Sequence, residues 1–247
     1  MLHWLPEDVS PYGAGIDGLF RLIYYITATA FLIVTVLMVA FLVLYRYRED
    51  RRATYTHGNT ALEIVWTLIP AAVFIWLGLA SKSKWEAVKM TIPATDTVIR
   101  VTAKQFNWEI LYPGPDGRFD TADDKQVDNE IRVPVGTPVR VILKSKDVIH
   151  SFFLPNLRFK QDAVPGRDIQ GWFQANKPGK YEIPCAELCG FGHSGMKGWL
   201  YVLPTDDYQK WSHEQWPAAI TSVQIKTPTT QTNVAPVPLL PSIPPAS

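Results

Sequence analysis

Cysteine is nearly absent from this 247-residue chain, occurring only as Cys185 and Cys189. A disulfide framework needs cysteines spread along the sequence, so none is available to staple the fold. Neither cysteine belongs to a Cys-x-x-Cys-His string, and no covalently held haem is expected in this chain. Net charge is equally scarce. Lys and Arg number 24 against 23 Asp and Glu, leaving +1. Basic residues cluster in one short loop only, which excludes an electrostatic case for nucleic acid as a partner. The N-terminal stretch has no basic region leading straight into a short apolar core. No cleavable signal peptide is therefore expected, and the first apolar run should stay in the mature protein. No internal repeat is evident.

What is present is distributed unevenly. Residues 22–45 carry no charge, and as a helix they would span about 36 Å, enough to cross a bilayer with some tilt. A second uncharged run, residues 64–81, would span about 27 Å, near the lower limit for a crossing. Pro70 lies inside it and should kink it. The alternative is a buried hairpin in a soluble protein, but a run apolar all round a helix exceeds what a soluble core usually encloses. Arg46, Arg48, Arg51 and Arg52 crowd the connector between the two runs. The positive-inside rule puts that connector in the cytoplasm and both termini outside, although Lys82 and Lys84 pull weakly the other way.

From about Thr95 to Pro204 the pattern becomes short alternating runs punctuated by Gly and Pro, as in Pro113-Gly114 and Pro178-Gly179. Strands at this spacing predict an all-β sandwich or barrel with Greek-key connections. The expected organisation is an outer N-terminal segment over 1–18, a transmembrane hairpin over 19–81, a β domain over 95–216, and a Pro/Thr-rich disordered tail over 217–247.

The chemistry concentrates in Cys185-Ala-Glu-Leu-Cys189-Gly-Phe-Gly-His193-Ser-Gly-Met196, with His150 upstream at a strand end. Thiolate and thioether favour Cu(I), and imidazole suits both copper oxidation states. A single blue-copper ion uses two His, one Cys and a weak axial Met, so this set holds one cysteine too many. The extra thiolate has a use if it bridges a second copper. A disulfide or half of a structural zinc site would also explain the two cysteines, but neither has a use for Met196.

The strings CAELCGFGHSGM, HSFFLPNLRFKQDAVPGR and LEIVWTLIPA together resemble cytochrome c oxidase subunit II, over nearly all of the chain before the tail. The resemblance implies a cupredoxin-like sandwich anchored in a bacterial cytoplasmic membrane, its copper domain outside. It implies a binuclear CuA centre bridged by Cys185 and Cys189, with His150 and His193 each on one copper. Met196 and the backbone carbonyl of Glu187 would be the weak ligands. The Glu187 side chain would help bind Mg or Mn shared with subunit I, the alternative being a solvent-facing carboxylate. Glu63 would stand at the entrance of a proton path, or simply anchor the span at the headgroups. In the loop 156–167, Asp162 and Arg167 would make ion pairs with subunit I, the alternative being a local turn around Pro165-Gly166 that needs no partner.

Implied partners are subunit I, subunit III, the lipid bilayer and a cytochrome c donor. Electrons would be received near Phe106 and Trp108, with Phe106 standing where the family commonly has tryptophan. Trp108 reads equally as a core residue. The loop containing Asp116, Asp120, Asp123 and Asp124 reads as a solvated hairpin rather than a calcium site or an acidic docking surface. The implied activity is transfer of electrons to haem in subunit I for reduction of dioxygen with proton pumping. The alternatives are the CuA subunit of a nitric oxide reductase and a membrane-tethered copper-storage protein.

Overall fold

The computed structural model describes residues 5–217. Two long helices come first, α1 (Gly13–Leu44) and α2 (Thr60–Trp85), the second prolonged by a π-helical turn over Glu86–Met90. Helix α1 begins nine residues before the uncharged run, because Asp17 and Arg21 still belong to it. Asn59 caps α2, its side chain accepting from the Leu62 N–H at 3.1 Å, and the helix continues through Pro70. None of the residues in the apolar stretches of these helices is buried. In water such surfaces would be untenable; they require lipid or partner helices.

The β domain follows as β1 (Val98–Lys104), β2 (Asn107–Tyr112), β3 (Lys125–Asp128), β4 (Glu130–Pro134), β5 (Val139–Ser145), β6 (His150–Leu154), β7 (Phe159–Ala163), β8 (Ile169–Phe173), β9 (Gly179–Pro184) and β10 (Lys197–Leu203). One sheet has the order β3-β2-β1-β5-β8, the other β4-β10-β9, and β6 pairs with β7. The β1–β5 and β4–β10 pairs are parallel and the other strand pairs antiparallel, giving the crossed connections of a Greek-key sandwich. Strict alternation fixes which side chains face inward. In β1, Ile99, Val101 and Ala103 are buried; in β5, Val139, Val141 and Leu143.

Trp108, Phe152, Phe159 and Phe173 continue this core as a chain of edge-on and tilted rings. Each buried ring contributes on the order of 2–3 kcal/mol from removal of apolar surface. A helix that the alternating pattern did not predict, α3 (Thr205–Gln215), closes one end. There Trp211 and Trp216 pack against Tyr112.

The segment before α1 is bound to the β domain. Val9 is buried, its N–H donates to the Asn156 carbonyl at 2.9 Å, and its carbonyl accepts from Asn176 N–H at 2.7 Å. Arg158 pairs with Asp17 at 2.7 Å. At the other end of the hairpin, Lys89 donates to the Lys160 carbonyl at 2.7 Å and to Gln161 at 2.9 Å. Both outer ends of the helical hairpin therefore meet the same β domain, which places them on one side of the membrane.

Candidate metal centre

Two segments build the site. The first is the start of β6, where His150 is completely buried. The second is the connection from β9 to β10, which carries Cys185, Cys189, His193 and Met196. A β-bridge between Phe152 and Cys185 brings them together, reinforced by Ala186 N–H donating to the Ser151 carbonyl at 2.9 Å. The loop is closed at its base by Cys185 N–H donating to the Met196 carbonyl at 3.0 Å.

Within it the sulfurs of Cys185 and Cys189 lie 3.8 Å apart. A disulfide requires about 2.03–2.05 Å, so the thiols are not joined. His150 Nδ1 is 3.9 Å from Cys185 Sγ, and His193 Nδ1 is 3.5 Å from Cys189 Sγ. Met196 Sδ is 3.9 Å from Cys189 Sγ, while the Glu187 carbonyl is 3.3 Å from Cys185 Sγ. Donor atoms of His150, Cys185 and Cys189 all fall within 4.8 Å of one another.

The set fits copper. With metal–sulfur bonds of about 2.3 Å, sulfurs at this separation can touch the same ion, and an imidazole stands beside each. Met196 adds a soft thioether, for which zinc has no use. Burial, with Cys185 close by, pushes the Cys189 thiol up to about 11. Metal binding must therefore displace protons, and loading weakens as pH falls.

His150 is oriented from behind. Its Nε2 lies 2.8 Å from Asp147 Oδ1. Asp147 is held ionised against its partial burial by His150 and by the N–H groups of Gln105 and Val148. A carboxylate only accepts, so Nε2 carries the proton and Nδ1 presents a lone pair toward Cys185. Sequence reasoning missed Asp147 and Gln105; the available signal was an Asp three residues before the strand-end His.

Beneath His150 lies Trp108, wholly buried, with ring centroids 6.2 Å apart. Trp108 thus offers no surface to a docking protein; it is a core residue that packs on His150. Phe106 does reach solvent, 39% exposed, and Phe191 on the cysteine loop is fully exposed. The Glu187 side chain is also exposed, as is Glu63 in the first turn of α2. Asp162 Oδ1 accepts from Ser151 Oγ at 2.7 Å and pairs with Lys160 at 3.2 Å. In the acidic loop, Asp120 is bound to Arg100 of β1, and Asp123 and Asp124 are bound to Thr121.

Residues 97–200 match the family described as cytochrome C oxidase subunit II, periplasmic domain, and residues 2–83 match its transmembrane domain. The alternative cytochrome c oxidase subunit 2 of Bradyrhizobium diazoefficiens is 30% identical over 237 residues, covering 86% of this chain and 84% of that protein. The chain belongs to the cytochrome c oxidase subunit II family. Subunit 2 of Thermostichus vulcanus is also 30% identical, over 85% of this chain and 78% of that one. The crystal structure of the periplasmic domain of a Bradyrhizobium japonicum subunit II is 31% identical, with a TM-score of 0.46, covering 51% of this chain and 96% of that domain.

The cupredoxin-like sandwich and the two membrane spans expected from the sequence are those of this family, as is the periplasmic placement of the β domain. Subunit II proteins carry CuA in this domain, and the buried His–Cys–Cys cluster is where this subunit II offers the donors. As part of a haem–copper oxidase it partners subunit I.

Proposed function

We propose that this subunit II receives single electrons from a cytochrome c at a binuclear copper centre and passes them to haem in subunit I, where dioxygen is reduced. His150, Cys185, Cys189, His193, Met196 and the Glu187 carbonyl would hold the metal. The observation that carries the proposal is the pair of unjoined sulfurs 3.8 Å apart, each with an imidazole nitrogen beside it. Bound copper would supply a one-electron couple shared across two ions.

The protein's own part is to keep that couple rigid and dry. His150, Cys185, Cys189 and Met196 are all buried, and Asp147 fixes one imidazole. Donors locked by packing need little rearrangement when charge changes, and small rearrangement is what a fast relay needs. The exposed ring of Phe106 lies against the cysteine loop and would be the donor's contact, with Trp108 acting from the core on His150.

Three further assignments belong to this reading. The exposed Glu187 carboxylate offers hard oxygen donors for Mg or Mn at the border with subunit I. Glu63, in the first turn of α2, would open a proton path at the cytoplasmic face. The unburied helical hairpin has surface for lipid and for subunit I, and subunit III would complete the assembly. The chain would divide functionally into 1–18, the membrane hairpin 19–81 and the copper domain 95–216. Of the Pro-rich stretch 217–247, all but Pro217 lies outside the described residues.

The test is copper loading of the purified full chain. A near-infrared mixed-valence band with EPR hyperfine structure from two equivalent coppers is expected, and Cys185→Ser should abolish both. A mononuclear copper signal in the unaltered chain would sink the proposal, as would an unchanged binuclear spectrum in Cys185→Ser.

A further inference from the structure

We infer that Gln105 is a positioning residue of the metal centre, a role that rests on the copper reading above. Gln105 lies in the turn between β1 and β2, outside the donor set. Its side-chain Nε2 donates to the Cys189 carbonyl at 2.6 Å. Its backbone N–H donates to Asp147 Oδ2 at 2.7 Å, and the other oxygen of that carboxylate takes the His150 ring. One residue therefore ties the cysteine loop to the carboxylate that orients the histidine.

The loop is shaped to receive this turn. Gly190 has φ +131°, and a Cβ there would stand 2.7 Å from Gln105 Nε2. A Cβ on Gly192 would stand 2.5 Å from the ring of Phe106. Any larger residue at either position must push the amide or the ring away. The two glycines flank Phe191 and lie between the ligands Cys189 and His193. Close approach of the turn is thus built into the stretch that carries two donors.

The physical consequence runs through one peptide group. The Cys189 carbonyl belongs to the peptide joining Cys189 to Gly190, so anchoring it restrains the backbone that aims the Cys189 sulfur. Without the amide, that peptide is free to rotate, and the sulfur samples more than one position relative to Cys185. A bound copper pair would then show an altered, heterogeneous signature and be released sooner. Conventional packing would not predict this from a residue whose side chain is largely on the surface.

The test compares full-length chains loaded with copper. Gln105→Glu keeps the length but presents no donor at neutral pH, whereas Gln105→Lys keeps a donor of adequate reach. For Gln105→Glu we expect altered copper hyperfine structure and release to a Cu(I) chelator about fivefold faster, the loss of one net hydrogen bond. Gln105→Lys should return both readouts close to those of the unaltered chain. The inference is overturned if Gln105→Glu matches the unaltered chain in spectrum and release, or if Gln105→Lys is as impaired as Gln105→Glu. An unaltered chain with no binuclear signal would overturn the copper reading itself, and this inference with it.

Discussion

Asp147 takes the proton-bearing Nε2 of His150 at 2.8 Å, and this leaves Nδ1 facing Cys185 Sγ at 3.9 Å. The carboxylate thus selects the tautomer that a metal needs. Replacing it with an apolar side chain should weaken copper retention roughly tenfold, the lower end for loss of such an outer partner. Chelator competition on Asp147→Leu reads this directly, and retention equal to that of the unaltered chain would count against the role.

Met196 is buried and contributes a thioether 3.9 Å from Cys189. Met196→Leu nearly conserves volume, so the cost in stability should stay below about 1.5 kcal/mol. The bound copper should remain binuclear while its reduction potential shifts, because a soft weak ligand is gone. Redox titration followed in the near-infrared separates the two effects. An unchanged potential would show that the sulfur does not reach the metal.

Phe106 is the exposed ring that lies over the loop between Cys189 and His193. Phe106→Ala should slow electron transfer from reduced cytochrome c about tenfold, a loss worth about 1.4 kcal/mol at the barrier. The copper spectrum should be unaltered. Stopped-flow reduction of the assembled oxidase provides the measurement, and an unchanged rate would place the contact elsewhere.

Glu109 is buried between Lys104 and Lys146, each at 2.5 Å. Burial alone would raise its carboxyl, but the hydrogen bonds and charges of the two lysines prevail and hold it below the usual carboxylate range. A carboxyl depressed on folding adds stability that is present above its unfolded value near 4.3 and is lost as pH falls through the folded value. Glu109→Gln should therefore cost about 1–2 kcal/mol at pH 7. That difference should shrink in acid. Thermal denaturation of both chains across pH 7 to about 3 checks it; a gap that persists at the acid end would contradict the linkage.

Legibility in the sequence followed distance along the chain. Cys185, Cys189, His193 and Met196 occupy one loop, so the donor types that point to a soft metal are legible together there, with Met196 and the more distant His150 weighing against a disulfide or zinc. Gln105 meets Asp147 across 42 positions and Cys189 across 84, and no local pattern records such contacts. Trp108 is ambiguous in the sequence because the resemblance offers it as an electron-entry ring and the strand-rich pattern equally as a core residue. Its inward register opposite Ala103 in β1 decided for the core. Helix α3 is not legible in the sequence because its charged run has no apolar period strong enough to declare it; Trp211 packs on Tyr112 of the sandwich as well as on Tyr208 within the helix.

The sequence by itself determined the membrane hairpin, the alternating strands and the kind of metal its donors suit, because hydropathy, period and donor chemistry are local properties. Only the tertiary structure decided which atoms converge. It set the two sulfurs 3.8 Å apart, turned His150 toward them through Asp147, buried Trp108 beneath and left Phe106 outside. Those outcomes depend on strand register and loop closure, where a shift of one residue would reverse every side chain.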